Sequence, residues 1–148
     1  MAKFDCRNNA EYAMALSATL SGATPSAGGA IDMQGWQAVT FIVSTGTVTD
    51  AGTAEGFSFE VQESDTADSG YTAVADADLI GLESALTVTS DDADGDLIGT
   101  IGYRGDKRYL RIVATGTTNT DAVVIVTAVK HMGADMGTAT IQAEIASS

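Results

Sequence analysis

The chain has 148 residues, the length of one folded domain; 45% of its residues are hydrophobic and 18% are charged. This composition is typical of a folded protein and excludes a disordered acidic chain. Its 20 acidic residues outnumber seven lysines and arginines, and the resulting net charge of -13 excludes nucleic acid and anionic membranes as main partners.

Neither a disulfide framework nor a membrane span is predicted. Cys6 is the single cysteine, so it has no partner within the chain. No apolar run reaches the roughly 18 residues of a transmembrane helix. The residues that follow Met1 also lack the apolar core of a signal peptide. We therefore expect a soluble protein that is not exported and has no membrane partner.

The first half of the chain contains three predicted strands. Residues 9–20 have apolar residues at both helical and strand spacing, and their alternation favours a strand. Residues 36–44 carry apolar residues on both faces, which predicts a central strand that is covered on both sides. Residues 56–63 alternate strictly between apolar and polar side chains, the pattern of a half-buried strand.

Two later segments predict a β-hairpin. Residues 97–103 and 107–114 have strand patterns, and they flank a short link of Arg104, Gly105 and Asp106. A glycine at the centre of such a short link is typical of a hairpin turn, so the integrin-type Arg-Gly-Asp triplet is interpreted as a turn.

The end of the sequence predicts two more strands. Residues 122–129 are rich in β-branched side chains and contain no charge, so we expect a strand covered on both faces. Residues 138–145 alternate apolar and polar residues, with Ile141 and Ile145 on the apolar side. This last segment is either an edge strand of the chain's own sheet or a strand added to another subunit's sheet.

The fold class predicted from these patterns is all-β. Connections rich in glycine, serine, threonine and aspartate are expected at residues 21–29, 45–55, 65–70, 90–95 and 116–121. We expect a single-domain antiparallel β-sandwich, a jelly-roll-like fold or a partly closed barrel, with extended terminal arms. Residues 1–131 would form the β-rich domain with an N-terminal arm, and residues 132–148 a C-terminal linker and a strand or arm.

Basic residues are concentrated in one short stretch. Residues 8–103 contain no lysine or arginine, and the next eight residues contain four of them: Arg104, Lys107, Arg108 and Arg111. A basic patch on an acidic protein suits contact with copies of itself or with an acidic partner. Alternatively, these cations only balance nearby acids. We predict that the four basic residues, Trp36, Ile141 and Ile145 lie at protein interfaces.

The sequence contains no recognisable catalytic or cofactor-binding pattern. His131 is the single histidine and lies at the end of an apolar strand, far in sequence from Cys6. There is no phosphate-binding loop, no dinucleotide fingerprint and no zinc-ligand spacing. We therefore expect a protein that is not an enzyme and that uses no cofactor.

Asp92, Asp94 and Asp96 occupy alternate positions, as calcium ligands do. Counted from Asp92, however, a calcium-binding loop needs glycine at position six and glutamate at position twelve. Here the glycine is at position four, and position twelve is Tyr103. The string is interpreted as a solvated acidic turn, and no metal site is predicted.

Four aromatic residues are candidates for a sugar-stacking platform: Trp36, Tyr71, Tyr103 and Tyr109. Trp36 follows a glycine at the head of a predicted central strand, which favours packing in a core or an interface. Exposure of Trp36 and Tyr109 on a shallow groove would favour sugar binding, whereas burial would count against it.

Several segments, in their order along the chain, resemble small head decoration, or cement, proteins of tailed bacteriophages. They are GAIDMQGW at residues 29–36, a strand ending in VQES at 61–64, YTAV at 71–74 followed by DADLIG at 76–81, and IGYRGDKRYLR at 101–111. The firmest part is Gly-Tyr-x-Gly-x-x-Arg-Tyr-x-Arg at residues 102–111. The resemblance covers residues 28–131.

This resemblance implies a noncatalytic virion structural protein that decorates and stabilises a capsid. Its expected location is the outer surface of the capsid, and its partners would be the major capsid protein and copies of itself, in a trimer or another cluster. The alternatives are a carbohydrate-binding or adhesive β-sandwich, and a tail or adaptor structural protein.

Overall fold

The computed structural model describes residues 10–131, and these residues are almost entirely β-structure. The strands are β1 (Ala10–Ser21), β2 (Ser26–Ala27), β3 (Ile31–Asp32), β4 (Ala38–Asp50), β5 (Ser58–Ser64), β6 (Thr72–Ala73), β7 (Leu79–Ile80), β8 (Leu97–Tyr103), β9 (Tyr109–Thr115) and β10 (Asp121–His131). Two short 3-10 helices, Asp76–Asp78 and Glu83–Leu86, flank β7.

The strands form two antiparallel sheets. Sheet A has the order β1-β10-β4-β8-β7, and sheet B has the order β2-β9-β5-β6, with β3 also paired to β9. In the described part of the chain the two sheets remain separate, so the fold is a β-sandwich. The predicted all-β class is confirmed, and the strand predicted at residues 9–20 is β1.

The core lies between the sheets because every long strand turns its apolar phase inward. Val39, Phe41 and Val43 of β4 are fully buried, and Leu110 and Ile112 of β9 face them from sheet B with no exposure. Strands show this period-two burial because successive side chains point to opposite faces. On the long strands, apolar alternation therefore indicates most of the residues that face the core.

The strands that come last in the sequence are central in both sheets. β10 pairs with β1 on one side and with β4 on the other. β9 pairs with β5 on one side and with the short β2 and β3 on the other. β4 is also central, as predicted, because it lies between β10 and β8.

The expectation that residues 36–44 and 122–129 are covered on both faces is wrong. Their inward phase is buried, but Ile42, Val123 and Ile125 on the outward phase remain partly exposed. The described residues place no second layer over the outer side of sheet A. The run of β-branched residues therefore indicates a sheet whose outer face is apolar. It does not indicate a strand that is covered by a layer on each side.

The hairpin predicted at residues 97–114 is also wrong. β8 belongs to sheet A, where it pairs with β4 and β7, whereas β9 belongs to sheet B. Residues 104–108 therefore cross from one sheet to the other. Both strands bury one face in the same core, from opposite sides.

Smaller differences concern connections and very short strands. β4 extends to Asp50 through most of the predicted connection at residues 45–55, because Val48 is buried and exchanges backbone hydrogen bonds with Asp92. β2, β3, β6 and β7 have two residues each, which is too few to show a periodic pattern.

Some predictions fall outside the described residues 10–131. These are Cys6, the N-terminal arm, the strand at residues 138–145, and the interface residues Ile141 and Ile145. Between residues 10 and 131 there is no helix with the length and apolar character needed to cross a bilayer.

Candidate interaction surface

The connection between the two sheets is organised around Tyr103, the last residue of β8. Its side chain is 1% exposed and reaches from sheet A to sheet B, where its hydroxyl donates a hydrogen bond of 2.7 Å to Oε2 of Glu63 in β5. The hydroxyl oxygen of Tyr103 also accepts a hydrogen bond of 3.0 Å from the backbone N–H of Lys107. Burial, followed by the hydrogen bond to Glu63, raises the pKa of Tyr103. Tyr103 therefore links both sheets and the crossing connection.

Two glycines make room for this arrangement. A Cβ at Gly105 would overlap the ring and hydroxyl of Tyr103, with 2.8 Å to Cε2. A Cβ at Gly102 would lie 3.2 Å from Cβ of Ile80 in the neighbouring strand β7. The Gly-Tyr-x-Gly part of the sequence motif thus has a structural reason, because the ring of Tyr103 occupies the space beside Gly105 and Ile80 packs over Gly102.

Replacing Gly105 by alanine is expected to lower the free energy of unfolding by about 1 kcal/mol, because the added methyl group displaces a buried, hydrogen-bonded ring. Gly29→Ala is the matched control, since nothing lies within 4 Å of a Cβ built there. Urea unfolding of both variants measures the difference. Equal stability of the two would contradict this account of the motif.

Two cations in the crossing connection form ion pairs with acids that are distant in sequence. Nζ of Lys107 lies 2.7 Å from Oδ2 of Asp65. Nε of Arg108 donates a 3.0 Å hydrogen bond to Oδ1 of Asp32, and Nη2 donates a second one of 3.0 Å to Oδ2. The hydrogen bond from Arg108 is the main cause of the lowered pKa of Asp32. The two ion pairs therefore attach the crossing connection to the end of β3 and to the residue that follows β5.

The other two predicted basic residues form no ion pair with the residues that the structure describes. Arg111 is on the outer side of β9, where its Nε donates a 2.8 Å hydrogen bond to Gln62 and its guanidinium lies 4.2 Å from the ring centre of Tyr71. Arg104 is exposed, and among residues 10–131 its side chain forms neither an ion pair nor a hydrogen bond. Among residues 10–131, Arg104 is therefore the cation of the connection that has no acidic partner, and the exposed Asp106 lies two residues away in the same connection.

A depression of about 800 Å³ lies beside the connection. It brings together four of the predicted interface residues, namely Trp36, Arg104, Lys107 and Arg108, and its other lining residues include Met33, Gln37, Ala38, Ile80 and His131. Arg111 is not part of it. The lining is mostly apolar, and it also includes the cations Arg104, Lys107 and Arg108 and the carboxylate of Asp106.

Trp36 is only partly exposed because it packs against the core beside a buried lysine. Nζ of Lys130 lies 5.8 Å from the centre of the indole ring and 2.7 Å from Oε1 of Glu11 in β1, and it donates a 3.1 Å hydrogen bond to the carbonyl of Asp32. Sequence reasoning missed Lys130 as a structural cation. The available signal was its position in the inward, apolar phase of β10.

The aromatic residues do not form a sugar-stacking platform. Tyr103 is buried, and a cation lies against the ring of each of the others: Lys130 at Trp36, Arg111 at Tyr71 and Arg108 at Tyr109. Since a sugar stacks on a free ring face, this geometry gives little support to carbohydrate binding.

Polar groups that could act chemically are bound to the protein itself. Nε2 of His131 lies 3.2 Å from the hydroxyl of Thr40. Carboxylate oxygens of Asp92 and Asp96 accept hydrogen bonds from the backbone N–H groups of Asp94 and Leu97, as in ordinary acidic turns. Within residues 10–131, no group of three or more histidine, cysteine, aspartate or glutamate side chains is arranged to hold a metal ion.

Among residues 10–131, the outer face of sheet A carries no formal charge between its ends. Its strands present side chains that are apolar or bear hydroxyl groups: Met14, Thr40, Ile42, Ser44, Ile80, Leu97, Thr100, Val123, Ile125, Thr127 and Val129. The outer face of sheet B, in contrast, carries Glu60, Gln62 and Arg111. In a chain with a net charge of -13, a face without charges is a distinct surface.

Comparison with known proteins shows the fold. No protein-family model and no curated protein sequence matches the chain. The crystal structure of the PBSX exported protein XepA is similar, with a TM-score of 0.51 at 13% identity, over 83% of this chain and 37% of XepA. The chain therefore spans little more than a third of XepA's length.

Two further structures have lower similarity. The SPBc2 prophage-derived protein YomS gives a TM-score of 0.41 at 10% identity, over 82% of this chain and 93% of YomS. A chain of the cyanophage Pam1 capsid asymmetric unit gives 0.30 at 11% identity, over 83% of this chain and 81% of that chain. At the identity found for XepA, what this chain shares with it is the β-sandwich fold.

Proposed function

We propose that this protein is a noncatalytic structural protein of a bacteriophage virion. It decorates the outer surface of the capsid and stabilises the shell by binding the major capsid protein and copies of itself. The observation that carries the proposal is the uncharged outer face of sheet A on an otherwise acidic molecule. Exposed apolar surfaces of this kind are typical of protein contact sites.

The use of the charged side chains supports a role without catalysis. Lys107, Arg108 and Lys130 each form an ion pair that links two parts of the sandwich. The hydroxyl of Tyr103 has two hydrogen-bond partners, and Nε2 of His131 lies beside the hydroxyl of Thr40. Groups held in this way maintain the fold, and this use of them supports a structural role.

The choice of a capsid as partner comes from the sequence. Residues 28–131 resemble head decoration proteins of tailed phages, and the motif at residues 102–111 corresponds to the connection that Tyr103 organises. The sandwich fold shared with the PBSX exported protein XepA is compatible with this role. A shell-binding protein also needs no reaction chemistry, because many weak contacts repeated over a lattice give strong attachment.

We assign the contact with the major capsid protein to the depression lined by Trp36, Arg104, Lys107 and Arg108. It offers an apolar wall, and Arg104 is available for a partner's carboxylate. An exposed cation at the rim of an interface affects association and its salt dependence.

Sedimentation with expanded phage heads that lack the protein tests this function. The wild-type protein should sediment with the heads, and Arg104→Gln should bind about tenfold more weakly, as expected when one charged contact is lost. Arg111→Gln removes the same charge on the outer face of sheet B and should bind like the wild type. Failure of the wild-type protein to sediment with heads would refute the proposal, and sedimentation with tails alone would favour the tail or adaptor role.

A further inference from the structure

We propose that the outer face of sheet A packs against the same face of a second copy of this chain, which gives a face-to-face dimer with two-fold symmetry. This inference rests on the self-association included in the proposed function, and it names the surface that performs it. The residues that carry it all lie between residues 10 and 131.

Exposed large apolar side chains are concentrated on this sheet. Met14 is 61% exposed, Ile80 is 57% exposed and Leu97 is 63% exposed. All three lie on strands of sheet A, and no strand of sheet B has an exposed large apolar residue. Covering these side chains removes apolar area from water, which is the main favourable contribution to protein association.

Two hydroxyl groups of the face already have hydrogen-bond partners within sheet A. The hydroxyl of Ser44 donates a 3.0 Å hydrogen bond to the carbonyl of Ile125 in the adjacent strand, and the hydroxyl of Thr40 lies 3.2 Å from Nε2 of His131. Groups that have partners within their own sheet lose little when water is excluded. The β-branched side chains around them also lose little rotamer freedom on packing.

The size of the face is close to that of a dimer interface. β1, β4 and β10 have 11 to 13 residues each, with β8 beside them. With strands about 4.8 Å apart and a rise of about 3.3 Å per residue, the projected area is roughly 600 Å². A specific interface buries about 800 Å² on each partner, and side-chain relief makes the accessible area larger than its projection.

The distribution of charge favours a second copy of this chain as the partner that covers the outer face of sheet A. Two molecules that each carry -13 repel one another wherever their acidic surfaces meet. On the outer face of sheet A the facing layers contain no like charges, so two copies can approach to the roughly 10 Å separation of packed sheets. A basic partner would gain more at the acidic loops than on this uncharged face. The face is therefore complementary to an uncharged β-surface, which the chain itself provides.

Sedimentation velocity of the full-length chain at increasing concentration tests the inference. The wild-type protein should form a dimer. Met14→Glu, at a position that is 61% exposed, should raise the dimer dissociation constant by about tenfold or more, because the new carboxylate is buried against an apolar surface. Thr127→Glu, directly across from Met14 in β10, should have the same effect.

Ser58→Glu is the matched control, because it adds the same charge at an exposed position on the outer face of sheet B. Dimerisation of this variant should equal that of the wild type, and an equal loss in Ser58→Glu and Met14→Glu would overturn the inference. A wild-type monomer at high concentration would also overturn it. If that monomer also protected Met14 from peroxide oxidation, residues outside 10–131 of the same chain would be the occupant.

The outcomes for the two proposals are distinguishable. A monomeric wild-type protein that still sediments with heads refutes the dimer and leaves the virion role standing. A dimer that depends on Met14 but binds no head refutes the virion role and leaves the dimer standing.

Discussion

Glu11→Gln is expected to destabilise the protein by about 2 to 3 kcal/mol, because it leaves the buried ammonium of Lys130 without its anion. The side chain of Lys130 is 8% exposed, whereas that of Glu11 is 54% exposed. After the substitution, the carbonyl of Asp32 and the ring of Trp36 remain as the neighbours of the charge. The carboxylate of Asp32 also acts on Lys130 electrostatically, but it is ion-paired with Arg108.

Replacement of the lysine should destabilise the protein much less than replacement of the glutamate. Lys130→Met removes the buried charge and keeps most of the apolar stem, while Glu11 can return to water, so a loss of no more than about 1 kcal/mol is expected. Guanidinium unfolding of both variants at pH 7 measures this asymmetry. A loss in Lys130→Met as large as that in Glu11→Gln would show that the ion pair contributes through the lysine's packing and not through charge compensation.

Tyr103→Phe is expected to destabilise the protein by about 1 to 3 kcal/mol, since it removes a hydroxyl with two buried hydrogen bonds and leaves the N–H of Lys107 without an acceptor. Tyr103→Ala removes the ring as well, and the cavity raises the expected loss to about 3 to 5 kcal/mol. Thermal unfolding followed by circular dichroism measures both.

Tyr109→Phe is a suitable control, because Tyr109 is partly exposed and lies at the far end of the same connection. Its effect should stay within about 0.5 kcal/mol, as for most surface changes. A double-mutant cycle with Glu63→Gln isolates the bond between the two sheets. Independent effects of Tyr103→Phe and Glu63→Gln would contradict the role of this bond.

Apolar periodicity was sufficient to predict the fold class and most of the core. The inward residues of β4, β5, β9 and β10 follow the alternation read from the sequence, because burial on one face imposes a period of two. The same signal does not reveal which strands pair. Residues 97–114 looked like a hairpin because a short glycine link is the common local solution, whereas the shared core placed β8 and β9 in different sheets.

The candidate surface was predicted only in part. The sequence located the basic residues, but their partners Asp32, Asp65 and Gln62 lie far along the chain. Which of the basic residues have partners therefore depended on the tertiary structure. The uncharged outer face of sheet A had a signal in the charge-free runs at residues 36–44 and 122–129. That signal was interpreted as coverage by a second layer, because periodicity does not distinguish burial within a chain from burial between chains.

The position of β9 and β10 at the centre of their sheets has a consequence for how this chain folds. During synthesis, β1 and β4 leave the ribosome well before the strand that must be inserted between them. Their hydrogen-bonding edges remain unpaired until residues about 70 to 120 positions later have been synthesised, and such non-local pairing is slow. We expect refolding on the slow side for a domain of this size, and a nascent chain truncated before residue 121 should be unable to complete sheet A.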